Sequence, residues 1–263
     1  MSASAPLYLD TVDSVDQFLA NLSPVRAIAL DTEGASFHRF VDRIYLLQMS
    51  TDRHEAVIDP LPIGKPSRLG ALIEDPQVEI VLHDADYDLR LLHQDYGWQV
   101  RNLFDTRVAA QLLGIRAFGL AALLEQYFGL KLDKKHQRAD WSMRPLTADM
   151  LDYAAQDTRH LLGLRDKLHQ QLVSKGRWHW AQEEFVRAET TRWDPDQAEN
   201  SFLRMKGARD LTRGVHRLQR RAGECGIARG EAAPQHHHQL VVIREVALQI
   251  GRASCRERVS SPV

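Results

Sequence analysis

The stretch from Arg26 to Gly34, RAIALDTEG, constrains this chain more than any other. Ala27, Ile28, Ala29 and Leu30 form an unbroken apolar run, which suits a central strand covered on both faces rather than one with a wet side. Asp31 and Glu33 follow at its end. Strand side chains repeat every two residues, so the two carboxylates point to the same side. Neighbouring carboxylates repel, and keeping both charged makes physical sense where a cation sits between them. Taken alone, such a pair also reads as a turn or a helix cap, so the rest of the chain must decide.

Around this strand the elements follow in order. Residues 12–22 show helical spacing of Val15, Phe18, Leu19 and Leu22 behind Asp13 or Ser14 as cap. Arg43 to Ser50 and Glu55 to Ile58 read as strands joined by a tight turn at Asp52 and Arg53, which implies a meander. Residues 67–74 give a short helix, Glu79 to Leu82 a strand, His83 to Tyr96 a helix with Leu89, Leu91 and Leu92 inward, and Val100 to Phe104 a further strand. Strands and helices alternating in this way imply parallel crossovers, hence an α/β core with an antiparallel portion. Helices over Thr106–Leu113 and Leu120–Phe128 are each closed by a glycine, Gly114 and Gly129. Lys131 to Pro145 is irregular, and Thr147 to about Val173 reads as one long helix.

Composition narrows the class. With 44% hydrophobic and 26% charged residues, the 263-residue chain has the make-up of a soluble globular protein of one main domain with something smaller attached. No apolar run is long enough to span a membrane. MSASAPLYLDTV has no basic region followed by an apolar core, so no secretory signal is read there. Cys225 and Cys255 offer neither a disulfide framework nor a cysteine zinc site, and a cytoplasmic protein is expected. A net charge of -1 confines any nucleic-acid contact to local basic patches.

The long helix answers the opening pair. Tyr153 and Asp157, in LDYAAQDTRHLLGL, stand one turn apart on one face, while Leu151, Ala154, Leu161 and Leu162 can cover the core. By themselves they also read as an ordinary surface pair. Asp88 in HDADYDLRLL is the fourth carboxylate. Asp84, Asp86 and Asp88 mimic a calcium loop, but Leu89 stands where that loop needs glycine and Asp95 where it needs glutamate, so calcium is rejected.

DTE at 31–33, HDADYDL at 83–89 and YAAQD at 153–157 together resemble the three exonuclease motifs of the DEDDy 3′-5′ exonucleases, and LDKKHQRADWSMRPLT, 132–147, is similar to the ribonuclease D branch. The resemblance covers roughly residues 7–205. It implies a ribonuclease H-like mixed sheet flanked by helices, in which Asp31, Glu33, Asp88 and Asp157 hold two divalent metals and Tyr153 positions the attacking water. Phosphodiester hydrolysis needs an activated water and a stabilised leaving 3′ oxygen, and two metals about 3.5–4 Å apart supply both. Hard Mg²⁺ or Mn²⁺ calls for oxygen ligands, which four carboxylates provide. In this scheme Asp31 bridges, Glu33 and Asp157 share the water-activating metal, Asp88 serves the other, and the Tyr153 hydroxyl orients the nucleophile rather than acting as a strong base.

For the substrate, Lys131, Lys134, Lys135, His136, Gln137 and Arg138 form a polar, largely basic loop beside Trp141, able to meet phosphates while the aromatic stacks on a base, or else simply a solvated loop. Phe37, His38, Arg39 and Phe40 are candidates to line the path of a 3′ end. Asp105 is read as a helix cap, His83 as a structural histidine, and the run His236–His238 as no closed metal site.

The organisation expected is an exonuclease domain over 1–175, a helical linker over 176–204, a truncated or degraded segment over 205–249 and a foreign tail over 250–263. Trp193 to Arg213 resembles the lead into the helical HRDC domain that follows the nuclease in ribonuclease D; beyond Arg213 periodicity is weak and glycine and arginine abound. IGRASCRERV, Ile250–Val259, can be encoded by ATCGGAAGAGCGTCGTGTAGGGAAAGAGTG, which looks like a sequencing adapter read as codons. The function implied is 3′-5′ exoribonuclease trimming of single-stranded RNA 3′ ends, as in transfer-RNA precursors or other structured RNA. DNA 3′ ends, or a catalytically silent nucleic-acid-binding module, are the alternatives. No membrane and no obligate protein partner is implied.

Overall fold

The computed structural model describes residues 5–22, 24–34, 43–133, 135–137 and 139–194. Among them six strands form one sheet in the order β1-β4-β3-β2-β5-β6. The apolar run becomes the central strand β2, Ala27–Glu33. It pairs antiparallel with β3, Leu46–Ser50, which pairs antiparallel with β4, Glu55–Ile58, and this is the expected meander. On its other side β2 runs parallel to β5, Glu79–Leu82, and β5 parallel to β6, Leu103–Asp105. A strand that the periodicity did not suggest, β1 at Leu7–Leu9, adds parallel to β4. Three residues offer almost no alternation to read, and the pairing with β4 is what makes them a strand.

Helices cover both faces. Ile28 and Leu30 of β2, Leu47 and Met49 of β3 and Ile58 of β4 share one core with α1 (Val12–Asn21), α3 (Ser67–Ile73) and α4 (Asp86–Tyr96). A short helix, α2 (Pro60–Ile63), begins at the Asp59 cap. The opposite face carries α7 (Ala148–Arg159) over β2, β3 and β4. α8 (Leu161–Ser174) lies over β2, β5, α5 (Thr106–Leu112) and α6 (Leu120–Phe128). Gly114 and Gly129 stop α5 and α6 with φ of +79° and +69°, conformations that suit glycine.

Three expectations need correction. The cap of α1 is Thr11, whose hydroxyl accepts from the Ser14 N–H while Ser14 accepts from the Thr11 N–H. The helix expected from His83 begins at Asp86, because Asp84 sits at φ +64° in a turn. The single helix expected from Thr147 to Val173 is two. His160, at φ −112° and ψ 1°, breaks it, since one straight rod cannot lie over both the β2–β4 half and the β5 side of the sheet.

The stretch expected to link domains begins as α9, Trp178–Ala188, and this helix packs into the core. Ala181 and Phe185 are buried, and the Phe185 ring lies 4.9 Å from that of Phe104 in β6. Glu189 accepts the Leu103 N–H at 2.9 Å, so the packing extends past the helix end. The HRDC-like remnant, the histidine run and the adapter-like tail lie outside the described residues, and all described residues but Asp194 belong to a unit ending at Trp193. Among the described residues no helix is long and apolar enough to cross a membrane. If α9 belongs to the core, Phe185→Ala should lower unfolding stability by about 3–5 kcal/mol in urea denaturation; a loss well under about 1 kcal/mol would show that the helix is peripheral.

Candidate active site

Alternation along β2 sorts its last three residues. Asp31 and Glu33 face α7, while Thr32 between them faces α4. From α7, Asp157 reaches the first pair. One carboxylate oxygen from each of Asp31, Glu33 and Asp157 lies within 4.8 Å of the others. Two contacts aim the helix. The Thr158 and Ser50 hydroxyls, both buried, stand 2.6 Å apart, and the Arg159 guanidinium bonds Glu55 of β4 at 2.8 and 2.9 Å. They set the rotation of α7 immediately after Asp157.

Asp88 arrives from the other face. It is buried in α4, and its Oδ1 accepts the Thr32 N–H at 3.1 Å and the Thr32 hydroxyl at 2.5 Å. It is therefore fastened to the residue between Asp31 and Glu33 and stands beside the three clustered carboxylates rather than within that 4.8 Å group. Asp105 places it there. This buried carboxylate caps α5 through the N–H groups of Arg107 and Val108, as expected, and also accepts from Asp84 and Ala85 at 3.1 and 2.9 Å just before α4. Asp84 pairs with Arg107 and Asp86 with Arg90, so neither joins Asp88 in a calcium loop. His83 bonds the Thr106 hydroxyl at 2.9 Å, in keeping with a structural histidine.

The electrostatics are those of crowded like charge. Burial, then the charges of Asp88, Asp157 and Glu33, push the Asp31 carboxyl well above the usual range. Burial, then Asp157 and Asp88, do the same to Glu33. Burial raises Asp88 to about 7 despite its bonds from Thr32, and raises Asp157 to about 6. Among the described residues no lysine, arginine or histidine forms an ion pair with Asp31, Glu33 or Asp157. Gln48, paired in register with Asp31, is fully buried with neither amide atom hydrogen-bonded among the described residues. Oxygen ligands with no counter-charge, and an amide with no partner, among the described residues fit a hydrated hard divalent cation.

Tyr153 stands one turn before Asp157 on α7. Burial, then the charges of Asp157, Glu33 and Asp31, raise its hydroxyl pKa. It keeps its proton at neutral pH. Its ring lies between Trp141, 6.1 Å away and nearly parallel, and His136, 5.6 Å away and edge-on. Trp141, expected to stack on a base, is 2% exposed and packs on Tyr153 instead; this irregular segment folds back on α7 because its aromatic side chain has an apolar seat there. Gln137 is exposed, and Lys135 pairs with Asp149 at 2.6 Å. Phe37, His38, Lys134 and Arg138 lie outside the described residues. Thr32 and Gln48 escaped the sequence reading. The alternation that pairs Asp31 with Glu33 also sends Thr32 to the far side, and that was the available signal for Thr32; Gln48 carried none without the strand register.

The model of a 3′-5′ exonuclease domain matches residues 7–173, more than half of the chain, and that span holds all three motifs. The chain belongs to the 3′-5′ exonuclease family. Exosome complex component 10 homolog of Drosophila melanogaster is 35% identical over 176 residues, covering 66% of this chain and 20% of that protein. Ribonuclease D of Zymomonas mobilis is 33% identical over 204 residues, covering 76% of this chain and 52% of that one. Escherichia coli RNase D, a solved structure, matches with a TM-score of 0.73 at 29% identity over 85% of this chain and 62% of that chain. The chain thus spans between about a fifth and a half of the length of these curated relatives, and the ribonuclease D resemblance and the mixed sheet flanked by helices are borne out.

Raised carboxylate pKa values carry a consequence for stability. A carboxyl whose folded pKa exceeds its unfolded value contributes fully below the unfolded value and loses that contribution as pH rises through the folded one. For Asp157 and Asp88 the window runs from 3.8 to about 6 and about 7. A divalent cation competes with those protons. Millimolar Mg²⁺ or Mn²⁺ should therefore raise the Tm more at about pH 8 than at about pH 5, and Asp157→Asn should remove most of the difference. Equal shifts at both pH values would speak against a metal among these carboxylates.

Proposed function

We propose that this chain is a 3′-5′ exoribonuclease that removes nucleotides from single-stranded RNA 3′ ends. The observation that carries the reading is the convergence of Asp31, Glu33 and Asp157 within 4.8 Å, with the Tyr153 ring one turn away and Asp88 fastened behind them. Asp31, Glu33, Asp88 and Asp157 are the residues proposed to hold two divalent ions, Mg²⁺ or Mn²⁺. When bound, such ions supply an activated water and stabilise the leaving 3′ oxygen. Tyr153, which holds its proton, donates a hydrogen bond that orients the water and leaves proton removal to another group. Asp31 and Glu33 are set by the strand, and Thr32 carries the position of that strand to Asp88.

RNA as substrate is supported by two of the relatives: one is named ribonuclease D, and the E. coli structure is described as an exoribonuclease involved in structured RNA processing. We extend this to trimming of transfer-RNA precursors or similar structured RNA, in the cytoplasm. Substrate contacts are proposed for the loop bearing Lys134, Gln137 and Arg138 and for Phe37 and His38. The edge-on packing of His136, next to Gln137, against Tyr153 supports this reading.

The deciding experiment follows 3′-labelled RNA and DNA single strands with Mg²⁺, Mn²⁺ or chelator. Metal-dependent loss of the RNA label is expected; faster loss from DNA would move the substrate class, and no cleavage of either would leave a binding module. Asp31→Asn keeps volume and removes a charge, and should cut kcat by a factor on the order of 10³ or more with the fold intact. Tyr153→Phe should lower kcat by about 100-fold with little change in RNA binding. Wild-type turnover in either variant would remove the role assigned to that residue.

A further inference from the structure

Arg144 lies outside the carboxylate cluster, yet few side chains here are held by as many bonds. Its Nε donates to Asp59 Oδ2 at 2.5 Å and its Nη2 to Asp59 Oδ1 at 2.8 Å. The same Nη2 reaches the Tyr45 carbonyl at 3.0 Å, and Nη1 reaches the carbonyls of Trp141 and Met143 at 2.8 and 2.7 Å. Asp59 is 2% exposed and Arg144 25% at the side chain. Asp59 also accepts the Tyr8 hydroxyl at 2.5 Å and the Leu61 N–H at 3.0 Å. Burial works against its charge, but the bonds from Arg144, Tyr8 and Leu61 hold the Asp59 carboxyl below its usual range. The pair is ionised at neutral pH.

What this pair joins gives it meaning. Asp59 follows β4, Tyr8 belongs to β1, and Tyr45 precedes β3, where its N–H donates to the Glu33 carbonyl at 2.8 Å. Trp141 is the ring against which Tyr153 lies, and Tyr45, Leu46, Val57, Trp141, Ala154 and Ala155 form a small core of their own around Tyr153. A guanidinium has a rigid fork of donors, so it can grip a carboxylate with two and still reach carbonyls with the others, which an ammonium cannot copy. We infer that Arg144, seated on Asp59, is a positioning residue for the reaction: it holds the Trp141 segment against the adjoining ends of β3 and β4 and thereby fixes where the Tyr153 hydroxyl stands relative to Glu33 and Asp157. The inference rests on the role proposed above for Tyr153.

The test is a double-mutant cycle with turnover of a short 3′-labelled single strand as readout. Arg144→Ala should lower kcat about tenfold and change KM for the short strand less than about twofold. Arg144→Lys and Asp59→Asn, milder for the fold, should each lower kcat by several-fold, roughly in the same proportion of kcat to KM. In a Tyr153→Phe background the same substitutions should cost less than about twofold, because the group they position is gone. Guanidinium ion should restore part of the activity of Arg144→Ala and none of Arg144→Ala with Tyr153→Phe. Circular dichroism and the metal-induced Tm shift, unchanged across the set, separate positioning from unfolding. Losses that multiply across the two backgrounds, a change confined to KM, or variants that no longer fold or bind metal would overturn the clamp alone. Wild-type turnover by Tyr153→Phe, or no cleavage by the unaltered chain, would overturn the reading of Tyr153 and the clamp with it.

Discussion

Mutual repulsion among the carboxylates of Asp31, Glu33 and Asp157 is the constraint that the surrounding structure has to meet. Unit charges within 4.8 Å repel by at least about 3 kcal/mol per pair at the effective dielectric of a protein. A domain's whole stability is about 5–15 kcal/mol, so such a cluster is a large local cost. Burial, with this repulsion added for Asp31 and Glu33, holds the three groups above the usual carboxylate range, and taking up protons relieves part of the cost. A cation relieves it without a loss of ligand charge. The elements that bear the carboxylates must therefore be fastened by interactions that do not depend on the site itself.

Those fastenings are visible on both faces of β2. On one, the Ser50–Thr158 hydroxyl pair and the Arg159–Glu55 ion pair pin α7 beside Asp157. On the other, Thr32 grips Asp88, and Asp105 accepts four backbone N–H groups that secure the starts of α4 and α5 together. A buried carboxylate satisfied by several N–H donors holds the turn at Asp84 in its left-handed conformation. Apolar side chains pack separately from these polar contacts, in one large core shared by α1, α3, α4, α8 and α9 and a smaller one around Tyr153. Rigid elements thus present the carboxylates, and none of the anchoring bonds spends a lone pair of Asp31, Glu33 or Asp157.

Family membership and site geometry support each other by separate routes. The match over residues 7–173 ends within α8, while the packed unit runs on through α9 to Trp193, because Phe185 completes the aromatic cluster with Phe104 and Trp178. The irregular stretch before α7 likewise changes meaning once folded. In sequence its lysines and Trp141 suggest a surface for nucleic acid; in the structure the tryptophan turns inward to seat Tyr153 and the arginine beside it seats the tryptophan. Lys135 and Gln137 of the same stretch stay exposed.

By itself the sequence pointed to the central strand, the meander and most helices through local physics, an apolar run and a period of two or of 3.6. The four carboxylates and the tyrosine stood out in that sequence as candidates through the resemblance of their three motifs to those of known exonucleases. It did not reveal β1, whose three residues become a strand through pairing with β4, nor the break at His160, which answers to two surfaces that one helix cannot cover together. It could say that Asp31 and Glu33 point the same way, but not that Thr32, pointing the other way, would be the hand that holds Asp88. Nor could it join Arg144 to Asp59 across 85 residues or turn Trp141 inward. Periodicity reports a residue's own backbone geometry; partners brought from distant positions are decided by how helices and strands pack, and that is fixed in the tertiary structure alone.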